Sequence, residues 1–405
     1  MDKAEMLTVE ETGGKLSNEM LYKLSFVLFA LSRILFGSSH LGDMMGEGVV
    51  TKISDALLVC ALMVLVLLAA NFHYPKTDLV PLLACGGIIG LSLLKCRSTN
   101  LFISFLYMYF AVVVAHPKRF ARLVIGLFAA IIVILALLSV SGLISMTVKQ
   151  RASNDATRYS LGFTHANQLA IMVFVIICML FYIHSGSGRW GKYWKYIVSG
   201  VLAIPTFLVT NTFSFLALYL LLAFASFAYD AALSKAHLPK REAKRFIRIG
   251  LLILGVITGL AVLYIWRNPY ALTGSLKTFR TRFLLSQKYI TAYGIRPFGS
   301  KIIIGTDVAI PGFKAGYYYL DNGYIRLFVE YGFVAGLLVV GLMARTLINL
   351  VRRSKWQLLI ILLCILLYLF NEQKMMTVFF NPFWLLLREY MLPDRAARLK
   401  ALLAG

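Results

Sequence analysis

The chain has 405 residues, 60% of them hydrophobic and only 15% charged, and carries a formal net charge of +23. That composition excludes a soluble globular domain, which could not bury so much apolar surface. It also argues against nucleic acid as a partner, because no soluble basic domain exists to bind it; Lys and Arg in such a chain belong in loops beside an anionic bilayer surface.

In chain order, residues 1–20 form a polar, acidic opening, "MDKAEMLTVEETGGKLSNEM", read as a cytoplasmic segment. The apolar run from Leu21 lacks a small-residue cleavage site and reads as a retained anchor. Apolar runs then recur at 21–39, 53–71, 79–94, 100–115, 120–145, 166–184, 195–210, 213–231, 249–266, 322–345, 357–371 and 375–391. Helices satisfy their own backbone in lipid, and alternating segments of transmembrane-strand length are absent, so strands are not expected. The expected fold is an all-α polytopic integral membrane protein with about twelve spans. Helices 1–9 fall within 21–266, a long extracytoplasmic loop within 267–321, helices 10–12 within 322–391, and a cytoplasmic tail within 392–405.

The basic segments "PKRFAR" (117–122), "GRWGKYWK" (188–195), "SKAHLPKREAKRFIR" (234–248), "RTLINLVRRSK" (345–355) and "RAARLK" (395–400) all fall on one side of these spans. That side is read as the cytoplasm, with both termini in it. Loops 146–165 and 267–321 fall outside. The second holds Arg267, Lys277, Arg280, Arg282, Lys288, Arg296, Lys301 and Lys314 against only Asp307 and Asp321. Such an excess outside goes against the positive-inside rule: either the topology differs there or the bases are kept for an anionic ligand, the reading favoured because the other alternations stay in phase. Within it, 275–294 places Leu276, Phe279, Phe283 and Ile290 at helical spacing, which predicts a helix lying on the outer leaflet.

Four stretches hold the candidate chemistry. In "DNGYIRLFVEYG" (321–332), Asp321 is either the cap of the next helix or a base, with Asn322 and Tyr324 beside it. Arg326 and Glu330 there are either a self-neutralising i,i+4 pair or the wall of a pocket. In "NDATRYSLGFTHANQLA" (154–170), Arg158 precedes a helix that His165 and Asn167 either cap or equip. "FRTRF" (279–283) offers Arg280 and Arg282 to phosphates, and "VTNTFSF" (209–215) is a polar kink at Asn211, Thr212 and Ser214. Guanidinium forks suit phosphate oxygens, and a carboxylate beside them can take a proton from a hydroxyl. Cys60, Cys85, Cys96, Cys178 and Cys364 form no CxxC pair and read as packing residues. No P-loop, DxD, HExxH or Cys/His cluster occurs, so neither metal nor nucleotide cofactor is expected, and the donor reads as a lipid diphosphate.

Three stretches, "RYSLGFTHANQLA" (158–170), "FRTRFLLSQKYITAYGIRPFGSKI" (279–302) and "DNGYIRLFVEYGFVAG" (321–336), resemble the bacterial O-antigen polymerase and ligase superfamily, most of all the Wzy-type polymerases. The resemblance spans about 150–340 and implies a GT-C-like, inverting glycosyltransferase of the bacterial cytoplasmic membrane. Its donor and acceptor would be undecaprenyl-diphosphate-linked oligosaccharides, with a chain-length regulator and a flippase as partners. Carried over by position, Arg158 and Arg282 match the family's loop arginines, and Asp321 stands where the ligases usually have His. Thr212-Phe213 replaces a Ser-Arg pair of many relatives, a loss for which Arg280 would substitute. The resemblance thus implies Asp321, Arg282 and Arg158 as catalytic, with Arg280, Asn322, Tyr324, Arg326, Glu330, His165 and Asn167 binding substrate. A ligase of the same superfamily and a transporter of lipid-linked oligosaccharide are the alternatives.

Overall fold

The computed structural model describes residues 17–71, 76–146, 148–150, 157–184, 189–235, 264, 267, 268, 270 and 277–391. Its first helix, α1 (Asn18–Ala30), is capped by Ser17, whose hydroxyl accepts from the Met20 amide, and runs on into a π-helical stretch, Leu31–Phe36. It packs along α2 (Glu47–Asn71) through small hydroxyls: Ser25 donates to the Ala61 carbonyl and Ser32 to the Ser54 carbonyl, each at 2.7 Å. Small polar residues let two helix backbones approach where lipid offers no hydrophobic drive.

Then follow α3 (Lys76–Cys96), α4 (Asn100–Phe110) and α5 (Pro117–Val140), whose Pro117 sits where a missing N–H costs nothing. After a small hairpin come α6 (Ala166–Ile183), α7 (Arg189–Thr210) and α8 (Phe213–Lys235). Helix α6 is apolar on every side and buried along nearly its whole length between α5, α7 and α12 (Trp356–Leu369). Its neighbours instead expose Val133, Leu137, Leu208, Phe224 and similar side chains. Six helices among the described residues are long and apolar enough to cross a membrane, and such outward apolar faces belong against lipid tails. The protein is a helical, multi-pass membrane protein.

The details depart from the sequence reading in four ways. First, two antiparallel hairpins interrupt the helices: β1 (Val148–Gln150) with β2 (Thr157–Tyr159), and β3 (Gly305–Ile310) with β4 (Phe313–Tyr318). Both lie in loops, where the bilayer's demand for helices does not apply. Second, 322–345 is not one helix but two, α10 (Gly323–Glu330) and α11 (Phe333–Arg352). Third, 375–391 is a 3-10 turn (Gln373–Met376) and two one-turn helices, Phe383–Leu386 and Arg388–Met391. Fourth, Lys195 is not a loop base. It is 2% exposed on α7, 2.8 Å from the Asp230 carboxylate, which also accepts from Tyr196 at 2.8 Å. The run 249–266 falls, but for Tyr264, outside the described residues, as do 1–16 and 392–405.

The break between α10 and α11 is filled by the chain itself. Segment 296–300 docks there: Phe333 and Val334 donate to the Arg296 and Pro297 carbonyls (2.8 and 3.0 Å), and the Ser300 amide donates to the Glu330 carbonyl (3.0 Å). The new helix start and the old helix end are thereby satisfied. The backbones come so close that a Cβ on Gly299 would lie 1.9 Å from the Glu330 oxygen, and one on Gly332 would lie 2.2 Å from the Gly299 nitrogen. Both glycines also have positive φ, +78° and +94°.

Over this end of the bundle lies a small roof. Helix α9 (Lys277–Tyr293) buries Leu285, Tyr289 and Tyr293 against Ile310, Tyr318, Leu320 and Val329 of the β3–β4 hairpin and α10. Tyr289 donates to the Ile303 carbonyl (2.8 Å), and the Ile303 amide donates to Tyr293 (3.0 Å). The sequence reading gave α9 to the outer leaflet; in the structure one face of it packs on protein, and Ile290 of the predicted apolar face packs against that same core. Leu276 lies outside the described residues.

Candidate functional site

Five chain segments converge under the roof: the approach to α6, the α7–α8 junction, β4 with the start of α10, α9, and the turn after α12. A cavity of ≈ 270 Å³ lies here, lined by Arg158, His165, Asn167, Thr306, Tyr317, Tyr319, Asp321, Arg326, Glu372 and Lys374, among others; α9 and the α7–α8 junction stand behind this lining.

Arg158 stands on β2, paired in register with Lys149 of β1. Its Nε donates to the Thr210 carbonyl (2.8 Å), and its Nη2 donates to Asn167 Oδ1 (2.6 Å) and Thr212 Oγ1 (3.1 Å). Thr210 ends α7, so its carbonyl has no further intrahelical partner, and the negative end of a helix dipole favours a cation there. The polar stretch at 209–215 is thus no mere kink: Asn211, at φ +46°, turns the chain so that a carbonyl and a hydroxyl both face Arg158.

Asn167, in the first turn of α6, relays this contact. Its amide nitrogen donates to the Glu372 carboxylate at 3.2 Å. Gln168, with its oxygen turned towards the ammonium, accepts from Lys374 and donates to the Ser38 carbonyl at 2.9 Å. His165 is the residue before the helix but caps nothing with its side chain; its ring meets Tyr319 edge-on at 6.3 Å.

Asp321 is not the cap of α10. Asn322 is: its side-chain oxygen accepts from the Tyr324 and Ile325 amides at 3.1 Å. That leaves Asp321 facing the cavity, where Arg282 approaches it to 3.8 Å. Burial and the neighbouring Glu372 carboxylate push Asp321 up to about 6, against the pull of Arg282, Lys374 and Arg326. Arg282 also donates to Asn371 at 2.8 Å and so ties roof to bundle. Arg326 lines the cavity while bonded to the buried Glu330. Burial pushes the Lys374 ammonium down, and Glu372 and Asp321 partly restore it.

Of the ten residues singled out in sequence, Arg158, His165, Asn167, Asp321 and Arg326 line the cavity, and Arg282 reaches it through Asp321. The others take different places. Arg280 lies over the Tyr270 ring at 5.6 Å, outside the lining. Asn322 is occupied as a cap, Glu330 neutralises Arg326, and Tyr324 donates to the Leu366 carbonyl at 2.9 Å, away from the cavity. Sequence reasoning missed Asn371, Glu372 and Lys374. The signal was present: "NEQK" (371–374) holds two charges between two apolar runs, and charge at a membrane boundary is costly enough to need a reason.

The fold and site together define a multi-pass helical membrane protein with a charged, aromatic-walled cavity at one end of its bundle. Comparison with known proteins finds no matching family model, no matching curated protein and no matching solved structure. Among the described residues no group of His, Cys, Asp and Glu is arranged to hold a metal ion.

Proposed function

We propose that this protein is a Wzy-type, GT-C-like polymerase with about twelve spans, which joins undecaprenyl-diphosphate-linked oligosaccharide repeat units into a surface polysaccharide. The observation that carries the reading is the convergence of Arg158, Arg326 and Lys374 with Asp321 and Glu372 in one cavity, with Arg282 at its edge. Four cations held before reaction suit a diphosphate that gains charge as it leaves. The directions of α6, α7, α8 and α12 put the cavity at the end away from the basic segments 117–122 and 345–355. By the positive-inside rule the cavity then faces the extracytoplasmic side of the bacterial cytoplasmic membrane, where a lipid-linked donor is at hand and a sugar nucleotide is not. The sequence resemblance points the same way.

In this reading a hydroxyl oxygen of the acceptor repeat unit attacks the anomeric carbon of the donor glycan. The bond from that carbon to the diphosphate oxygen breaks, and undecaprenyl diphosphate leaves with the electron pair. The hydroxyl proton passes to Asp321, which is more basic than a free carboxyl yet ionised at neutral pH. One displacement inverts the anomeric centre. A flippase would supply the repeat units and a chain-length regulator would act on the product.

The test is product length from purified lipid-linked repeat unit in proteoliposomes, for wild type, Arg282→Ala and Asp321→Asn. A ladder made by wild type and lost in both variants is expected. Passage of intact repeat unit across the bilayer without elongation would replace this reading with a transporter.

A further inference from the structure

The stretch "YYYLD" (317–321) runs from the last two residues of β4 to the Asn322 cap, and burial alternates along it. Tyr318 and Leu320 are 5% and 2% exposed and belong to the core of the roof. Tyr317, Tyr319 and Asp321 take the other face, and all three line the cavity. The Tyr317 and Tyr319 rings lie 4.7 Å apart at 35°. The core does not call for the Tyr317 ring, which is 59% exposed.

The lining therefore holds two unlike groups. Arg158, Arg326 and Lys374 are cations, with Glu372 among them. Tyr317 and Tyr319 are an aromatic pair followed by the Asp321 carboxylate. A diphosphate has no use for the second group, but a sugar ring does. The C–H bonds on one face of a pyranose carry partial positive charge and rest on the negative face of an aromatic ring, while the hydroxyls project from its edge. Alternate residues of an extended chain are about 6.6 Å apart, on the order of one sugar ring with its hydroxyl.

We propose that Tyr317 and Tyr319 form the acceptor-sugar subsite, on which the ring bearing the attacking hydroxyl stacks so that this hydroxyl meets Asp321. The donor's diphosphate takes the cationic residues Arg158 and Lys374. This rests on the polymerase reading and adds to it which group serves which substrate.

The experiment uses full-length protein in proteoliposomes with labelled lipid-linked repeat unit as donor and a short-prenyl repeat unit as acceptor at varied concentration. Elongation and release of undecaprenyl diphosphate to water are read separately, and gel filtration in detergent confirms that each variant is folded. Tyr319→Ala is expected to raise the acceptor KM about 10-fold while diphosphate release to water continues. Tyr319→Phe, which keeps the ring face, is expected to reverse most of that rise, and Tyr317→Ala to show a smaller one. An unchanged acceptor KM in both alanine variants, or a Tyr319→Phe as impaired as Tyr319→Ala, overturns the subsite. If wild type elongates nothing, the polymerase reading fails first. Saturation-transfer NMR with the free repeat-unit oligosaccharide then decides the subsite alone, since its signal must weaken in Tyr319→Ala.

Discussion

The Asn167 amide donates to the Glu372 carboxylate at 3.2 Å across 205 residues of sequence, and the same side chain's oxygen accepts from Arg158 at 2.6 Å. One neutral amide thus links a cation on a hairpin to an anion on the turn after α12. Arg158 is held by three acceptors in a fixed fork, which a lysine cannot reproduce. Arg158→Lys should therefore lower elongation about 100-fold although it keeps the charge. Initial rates with purified repeat unit check this; a Lys variant near wild type would reduce Arg158 to a point charge.

The proposal of Asp321 as base carries a pH dependence. With its carboxyl near 6, the ionised form required for proton acceptance is lost as pH falls through that value, so activity should fall on the acid side of pH 6. Glu372 is one cause of the raised value, so Glu372→Gln should move this acid limb to lower pH. A pH–rate profile of the two proteins reads the shift directly.

The same shift acts on stability. A carboxyl raised in the folded state contributes stability that is fully present below its unfolded value and lost as pH rises from about 4 to about 6. Asp321→Asn should therefore be more stable than wild type at pH 7, by up to about 3 kcal/mol, and the difference should vanish below pH 4. Thermal melts in detergent at the two pH values test the sign.

Gly299 and Gly332 admit no side chain. Either Gly→Ala change must push two backbones apart and cost about 3 kcal/mol or more. The expected result is a large drop in melting temperature, or no folded protein, where Gly126→Ala, in open space on α5, has little effect.

Lys195 and Asp230 form a buried pair at the end of α7 away from Thr210. Lys195→Met should destabilise by about 3–5 kcal/mol, because Asp230 is left charged and buried, while Lys195→Met with Asp230→Leu should recover most of it. A double-mutant cycle on melting temperature separates the pair from the packing.

Much of the cavity was legible because charge at a helix entrance is rare. Arg158, Asp321 and Arg326 stand out against apolar runs, and the structure brings them together. Glu372 and Lys374 did not stand out: they cancel in a net charge, and four residues between two apolar runs look like a plain connection. The β3–β4 hairpin turns at Pro311–Gly312, a turn signal hidden in a loop already assigned to bases. The α10–α11 break was invisible because a lone Gly332 is compatible with a continuous helix, and what ends α10 is a segment thirty-odd positions earlier. Asp321 and Asn322 are equally good caps by residue type; one residue's backbone angle decides between them, and it gives the cap to Asn322.

The docking of 296–300 into the α10–α11 break has a mechanical consequence. The ceiling of the cavity is riveted to a membrane helix at Arg296, Pro297 and Ser300 on one side and ends in the Asn322 cap on the other. Such a ceiling cannot swing away to admit a molecule from above. On the polymerase proposal, a donor with a long hydrocarbon tail would then slide in edgeways from the bilayer, between helices, and the glycan would leave through the side that faces water. Traffic through the chamber would be lateral on that proposal, and the lipid around it would be part of its doorway.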